Sequence, residues 1–300
     1  MNEQKQGILN AIIAYTMWGI YPLYWSLLQS VNPIEILINR MLWSFITLSV
    51  VLISLRKVKN LGMTVKSLLA NKKKLVLLVL AAAFVSLNWF IYTYAVVSGR
   101  LLEASLGYYI NPILSVFIGV IFLKERLNKL QIVAIVIASV GVSYLAISSG
   151  ILPWISIVLA LTFGFYGLTK KLIHIDAFFS LFLETAVLFP IATFLFISFL
   201  ADGSSTFLQP NVTLILLLMG AGFITVSPLF FFSKAAGQLP LKTLGFLQYI
   251  GPTIKMLMAV FVLGEDFTTE RLITFCFIWL ACLIFSTSHL LQKNKPQKKV

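Results

Sequence analysis

Apolar runs of close to twenty residues alternate along this chain with short polar stretches. A helix needs about 20 predominantly apolar residues to cross a hydrocarbon core of about 30 Å. Ten runs meet that length: 8–28, 34–55, 75–97, 104–124, 130–148, 153–170, 177–200, 211–233, 242–263 and 271–291. Each is continuously apolar, so the pattern predicts helices rather than the shorter, alternating strands of a membrane barrel. The first run is too long for the apolar part of a cleaved leader, and no small-residue cleavage site follows it, so it reads as a retained span.

Proline placement supports this segmentation. Pro33, Pro153, Pro210 and Pro240 stand at expected helix starts, where a missing N–H is harmless. Pro22, Pro112, Pro190, Pro228 and Pro252 fall inside spans, and Pro296 in the polar tail. An internal proline frees a carbonyl and kinks the rod. In a membrane that is tolerated where neighbouring helices or a wet cavity satisfy the backbone, which points to a transporter or channel more than an anchor.

Composition agrees. Of 300 residues, 59% are apolar and 11% charged, with mean hydropathy +0.96, against about 45–50% and about 25% in soluble domains. A soluble enzyme, a disordered chain and a collagen-like chain are excluded. The net charge of +13 is a nucleic-acid signature only in a soluble protein. Here nineteen of the 23 basic residues fall before span 1, in the alternate loops after spans 2, 4, 6 and 8, or in the tail. Arg100 and Arg271 lie on the opposite side, and Arg40 and Lys255 lie within spans. By the positive-inside rule both termini are cytoplasmic. The expected partners are the lipid bilayer and a small solute, with no nucleic acid.

Chemistry-bearing motifs are few. Cys276 and Cys282 sit six residues apart in the last run, neither a metal spacing nor a disulfide framework, and His174 and His289 have no ligand cluster near them. No P-loop, nucleophile elbow or dinucleotide fingerprint occurs. No metal, cofactor or enzymatic activity is expected, and ATP-driven transport by this chain alone is disfavoured.

A repeat appears at an offset of about 140 residues. Tyr109-Ile110-Asn111-Pro112 in span 4 matches Tyr249-Ile250-Gly251-Pro252 in span 9, and the match runs on through Val120/Val260, Leu123/Leu263 and Glu125/Glu265. Leu106-Gly107 echoes Leu244-Gly245, and Ala14-Tyr15-Thr16 faintly echoes Ala160-Leu161-Thr162. Five spans per repeat is an odd number, so the second copy enters the membrane from the other side. The expected fold is an all-α integral membrane protein of ten transmembrane helices in two inverted five-helix repeats, 1–148 and 149–292, followed by a basic tail, 293–300. Inverted repeats of this kind place a substrate site near the midplane, with paired discontinuities such as Pro112 and Pro252 pointing to it.

Several stretches resemble a known family. They are Ala14-Tyr15-Thr16-Met17-Trp18-Gly19 with Tyr21-Pro22-Leu23-Tyr24-Trp25, and Glu35-Ile36-Leu37-Ile38-Asn39-Arg40 with Leu42-Trp43-Ser44. Further along come Asn88-Trp89, Ala104-Ser105-Leu106-Gly107-Tyr108-Tyr109-Ile110-Asn111-Pro112, Phe163-Gly164-Phe165-Tyr166-Gly167-Leu168, Glu184-Thr185 and Gln248-Tyr249-Ile250-Gly251-Pro252-Thr253. Over nearly its whole length the chain resembles RarD proteins, of the EamA group in the drug/metabolite transporter superfamily. The resemblance implies ten helices in two inverted repeats, a bacterial inner membrane and export of small metabolites or drugs, without naming a substrate. Lys255 departs from the apolar residue expected there.

Ionisable groups inside a membrane are functional candidates by default. Arg40 is read as an anion clamp or interhelical partner, or as a side chain snorkelling to the headgroups, with Glu35 as a loose partner. Glu184 is the coupling candidate, for a proton or cation, or else a capped structural carboxylate. Lys255, near the midplane, is read as cavity-lining or as half of a structural pair. Lys170, Lys234 and Lys242 at span ends are read as topology determinants. Trp18, Tyr24, Trp25, Asn88, Trp89, Tyr92, Tyr108, Asn111, Tyr166, Gln248 and Tyr249 fall in or near the spans that the family places around its cavity. Such an aromatic box suits amphipathic or cationic solutes, although Trp and Tyr also collect at interfaces. Trp154 and Trp279 read as interfacial. Small residues at i, i+4 spacing (Ser115/Gly119, Ala134/Ala138, Ala160/Gly164) permit close helix contacts, within one chain or in a homodimer. The function expected is a secondary transporter, with a passive facilitator of the same fold as the alternative. A membrane enzyme would need an acid/base cluster, and the nearest one, Glu265, Asp266 and Glu270, reads as a solvated outer turn.

Overall fold

The computed structural model describes residues 2–148, 150, 154–262 and 268–293. The readings at Pro153, Leu263, Glu265, Asp266 and the tail beyond Lys293 lie outside them. Among the described residues the chain forms thirteen α-helices, one 3₁₀ turn and no strand. Eight helices are long and apolar enough to cross a membrane: α3 (Pro33–Ser54), α5 (Lys72–Val97), α6 (Leu101–Leu123), α7 (Lys129–Ser148), α8 (Trp154–Ile173), α9 (Ala177–Ala201), α10 (Val212–Gln238) and α13 (Thr269–Lys293). Their outward faces carry large apolar side chains such as Phe194, Ile121 and Ile147, all exposed. Contiguous apolar surface of this extent belongs against lipid.

The other two expected spans do not form single rods. Run 8–28 becomes α1 (Glu3–Ile20), a turn at Tyr21, and the short α2 (Pro22–Ser26). Run 242–263 becomes α11 (Leu241–Gln248) and α12 (Ile250–Phe261), separated at Tyr249. The cause is the same in both. Pro22 cannot donate to the Trp18 carbonyl, nor Pro252 to the Gln248 carbonyl, and the chain tightens there into i→i−3 bonds. Tyr24 N–H donates to Tyr21 O (2.9 Å) and Tyr249 N–H to Phe246 O (3.3 Å). Pro22 therefore starts a helix instead of kinking one. Pro112 corrects the expectation in the other direction: α6 stays helical across it, pressed between α8 and α11, so the expected discontinuity in that half is a proline within a continuous rod. A last helix, α4 (Val58–Leu69), lies in the basic stretch between α3 and α5.

Without a hydrophobic force between helices in lipid, close approach of small residues supplies the contacts. Ala134 and Ala138 are fully buried, with α7 packed on α13, and Gly164 of α8 abuts Ile118 of α6. The small-residue stripes are thus used within one chain. In the core, α1 packs on α10, α5 on α8, α3 on α9 and α10, and α6 on α8 and α11.

Glu35 serves the scaffold rather than Arg40. It is 1% exposed and accepts from Ser205 Oγ (2.8 Å), Thr206 N–H (2.7 Å) and Thr206 Oγ1 (2.7 Å), tying the α9–α10 loop to the start of α3. Hydrogen bonds to a charged group contribute about 1.5–3 kcal/mol, and removing the acceptor strands a buried N–H. Glu35→Ala is expected to lower the apparent Tm of the purified protein and to open the loop around Ser205 to protease, with Glu35→Gln falling between it and wild type.

Candidate functional site

Arg40 is the eighth residue of α3 and points into the bundle. Its Nε donates to Thr225 Oγ1 on α10 (3.1 Å). Its guanidinium lies 5.0 Å from the Trp25 ring centre and 5.1 Å from that of Trp89. Tyr92 and Tyr108 are in electrostatic reach of it, and their rings sit 6.4 Å apart. Lys255 of α12 places Nζ 3.7 Å from the centre of the Tyr108 ring. The cluster thus draws on α2, α3, α5, α6, α10 and α12. Arg40, Trp25, Tyr92, Tyr108 and Lys255 are half-buried, so the cluster keeps contact with open space. Neither cation joins an ion pair among the described residues.

Aromatic faces hold the cations but do not neutralise them. Each cation–π contact contributes about 0.5–2 kcal/mol. An arginine deep in a span costs at least about 2.5–3.5 kcal/mol. Two rings and one hydrogen bond offset that for Arg40 while leaving its charge uncancelled.

A second polar centre lies between α8 and α9. Lys170 Nζ donates to Glu184 Oε1 (2.5 Å) and Ser180 Oγ (2.6 Å), Ser180 Oγ donates to Glu184 Oε1 (2.6 Å), and Tyr166 OH donates to Glu184 Oε2 (3.1 Å). The Lys170 and Glu184 side chains are 2% and 1% exposed. Lys170 is therefore not a surface topology marker but the counter-ion of Glu184. An aromatic stack extends from this second centre: Tyr166 lies parallel on Phe232, which also meets Trp18 and Phe163.

Relatives align with this chain over nearly its whole length. A profile of the EamA-like transporter family matches residues 5–147. An uncharacterized transporter of Vibrio cholerae is 45% identical over 96% of this chain and 94% of its own length. Protein RarD of Salmonella typhi is 41% identical over 98% of each. The chain belongs to the EamA-like transporter family. A solved crystal structure that is 17% identical superposes with a TM-score of 0.69, covering 94% of this chain and 97% of its own, and so shares the fold. As a member of this transporter family, the protein is a multi-pass membrane protein whose substrate is a small molecule.

The remaining candidates of this EamA-family chain scatter. Asn88 Nδ2 donates to Leu159 O and Thr162 Oγ1 (2.9 Å each), making it a strut between α5 and α8. Asn111 is buried and accepts from Ser115 Oγ (3.3 Å). Gln248 is buried at the end of α11, and Tyr249 OH donates to Tyr109 O (3.3 Å). Trp18 and Tyr166 belong to the aromatic stack. Lys242 Nζ donates to Arg126 O (2.6 Å), and Lys234 lies over Phe230. Cys276 and Cys282 are free thiols. Thr225 was not legible in the sequence, since a lone threonine in an apolar run carries no signal of its partner. A cavity of about 530 Å³ opens elsewhere, bounded by Tyr249, Ile254, Trp279, Cys282 and Phe285 among others, and its wall includes neither Arg40 nor Lys255.

Proposed function

We propose that this protein is a secondary transporter that exports a small metabolite or drug by alternating access around the Arg40–Lys255 cluster. The observation that carries the reading is that cluster: polar, half-exposed, inside a bundle of spans, and assembled from residues before 149 (Trp25, Arg40, Trp89, Tyr108) and after it (Thr225, Lys255). In this reading the moving parts are two inverted halves, 1–148 and 149–292, in a bacterial inner membrane with both termini cytoplasmic.

Several regularities support the inversion. α5 and α10 start at Lys72 and Val212, each after an asparagine whose side chain accepts from the third helical N–H. α6 and α11 start at Leu101 and Leu241, and α7 and α13 at Lys129 and Thr269. All three pairs share the 140-residue separation of Tyr109 and Tyr249, which touch. α3 and α9 follow Asn32 and Asp176 caps and carry Arg40 and Glu184 at the same eighth position. The packing follows the same exchange: α5 with α8 mirrors α10 with α1, and each of α3, α6 and α7 meets its own counterpart.

The test compares solutes of medium and cytosol in deletion, overexpressing and Lys255→Met strains. A solute enriched outside on overexpression, and not with Lys255→Met, is the expected result; no change in any solute overturns the reading. Collapse of the proton gradient is expected to abolish the export. Flux that ignores the gradient identifies a facilitator instead.

A further inference from the structure

Resting on the transporter reading, we infer that the site takes an organic anion with a planar apolar body, its carboxylate or phosphate facing Arg40 and Lys255 and its body lying among Trp25, Trp89, Tyr92 and Tyr108. The first ground is the disposition of the acids. The described carboxylates inside the protein are all engaged elsewhere: Glu35 with the Ser205–Thr206 loop, Glu103 with Arg100 (2.6 Å), Glu125 with the N–H groups of Leu241 and Lys242, and Glu184 with Lys170. Glu3, Asp176, Asp202 and Glu270 are exposed at helix ends. The ion pairs among the described residues are Arg100–Glu103 and Lys170–Glu184, so two cations in the bundle interior keep their charge.

The second ground is donor geometry. Arg40 uses Nε on Thr225, while its two terminal nitrogens and Lys255 Nζ donate to no acceptor among the described residues. A guanidinium fork engages a carboxylate or phosphate through two parallel bonds, and the ammonium adds a point charge. The third ground concerns the box itself. The Trp25, Trp89 and Tyr108 rings each already face one of the two cations, so a cationic solute among them would meet like charge, which an anion would not. Of the amphipathic and cationic solutes that such an aromatic box suits, the two held cations favour an amphipathic anion.

Equilibrium binding tests this apart from transport. The full chain in nanodiscs of neutral lipid is titrated calorimetrically with benzoate and phenyl phosphate, and with benzyltrimethylammonium and benzyl alcohol as cationic and neutral counterparts. Binding of at least one anion is expected, weakened at least about tenfold in Arg40→Gln and in Lys255→Met, and retained in Lys255→Arg. Lys255 donates no hydrogen bond to a described residue, so its loss strands no acceptor and Lys255→Met carries the test if Arg40→Gln fails to fold. Tighter binding of the cation or the alcohol, unchanged affinity in Lys255→Met, or no anion binding at millimolar concentration overturns the inference. Anion binding without flux in proteoliposomes overturns the transporter reading and leaves the ligand class standing.

Discussion

Lys170→Met is expected to be among the most damaging single substitutions in the protein, and Lys170→Met/Glu184→Met is expected to recover most of the loss. The Lys170–Glu184 pair is nearly inaccessible, 2% and 1% exposed, and each member is the other's counter-charge. Removing one partner of such a pair costs about 3–5 kcal/mol, because the survivor keeps a buried charge, whereas replacing both by apolar groups of similar volume is often neutral or stabilising. Ser180 and Tyr166 soften the loss of Lys170 by continuing to donate to Glu184. When Glu184 is lost, Lys170 keeps a neutral acceptor in Ser180 Oγ and the Tyr166 ring beside it but no counter-charge, so Glu184→Met alone is expected to be at least as harmful. The measurement is apparent Tm and yield of monodisperse protein for the two singles and the double. Additive losses in the double would mean that the pair is not coupled as its geometry requires. The folded double variant then separates two roles for Glu184. Export that persists but no longer follows the proton gradient identifies Glu184 as the coupling group, and unchanged gradient dependence leaves the pair a structural tie between α8 and α9.

The contrast between the two centres explains what the sequence could and could not disclose. Span positions follow from apolar run length, which depends on composition alone, and eight runs became helices of spanning length close to the expected bounds. The two exceptions, 8–28 and 242–263, contain Pro22 and Pro252, yet so does α6 contain Pro112 without breaking. A proline removes one hydrogen bond in any helix, and whether the rod then bends depends on the neighbours pressed against it, which a linear pattern does not encode. Charges behaved likewise. Arg40, Glu184 and Lys255 were legible as functional candidates because an ionisable residue within an apolar run is costly wherever it points. Their partners were not. Lys170 stands at the end of its apolar run, where topology lysines also stand, and it becomes a buried counter-ion only because α9 folds back to present Glu184 and Ser180. Glu35 sits one and a half turns from Arg40, near enough to suggest a pair, but its side chain turns to the Ser205–Thr206 loop some 170 residues later. The polar aromatics divide in the same way: Trp89 and Tyr108 meet the cations, while Asn88 one residue before Trp89 faces α8.

Gly222→Ala is expected to disrupt the cation cluster from a position that touches no ligand-facing group. Gly222 lies where α10 crosses α3, and a Cβ there would stand 2.2 Å from the Trp43 carbonyl carbon, 2.3 Å from its oxygen and 2.7 Å from the Ser44 nitrogen. All three are backbone atoms, so no side-chain rotation can relieve the overlap and the two helices must separate. Overpacking of a close interface typically costs about 1–3 kcal/mol, and a backbone clash belongs at the upper end of that range. One turn further along α10, Thr225 accepts from Arg40, which lies one turn before Trp43 on α3. Separating the helices by the ångström or so that a methyl demands lengthens that bond past 3.5 Å and frees the guanidinium from its only protein acceptor among the described residues. Gly237→Ala is the matched control. It lies in the same helix with nothing within 4 Å of the new Cβ, so it is expected to raise stability by up to about 1 kcal/mol through helix propensity alone. The measurements are apparent Tm and the affinity for phenyl phosphate. Gly222→Ala is expected to lower both, and Gly237→Ala to leave the affinity unchanged. If the two variants shift Tm in the same direction, the α3–α10 crossing is looser than its backbone contacts require, and Thr225 does not depend on it for its hold on Arg40.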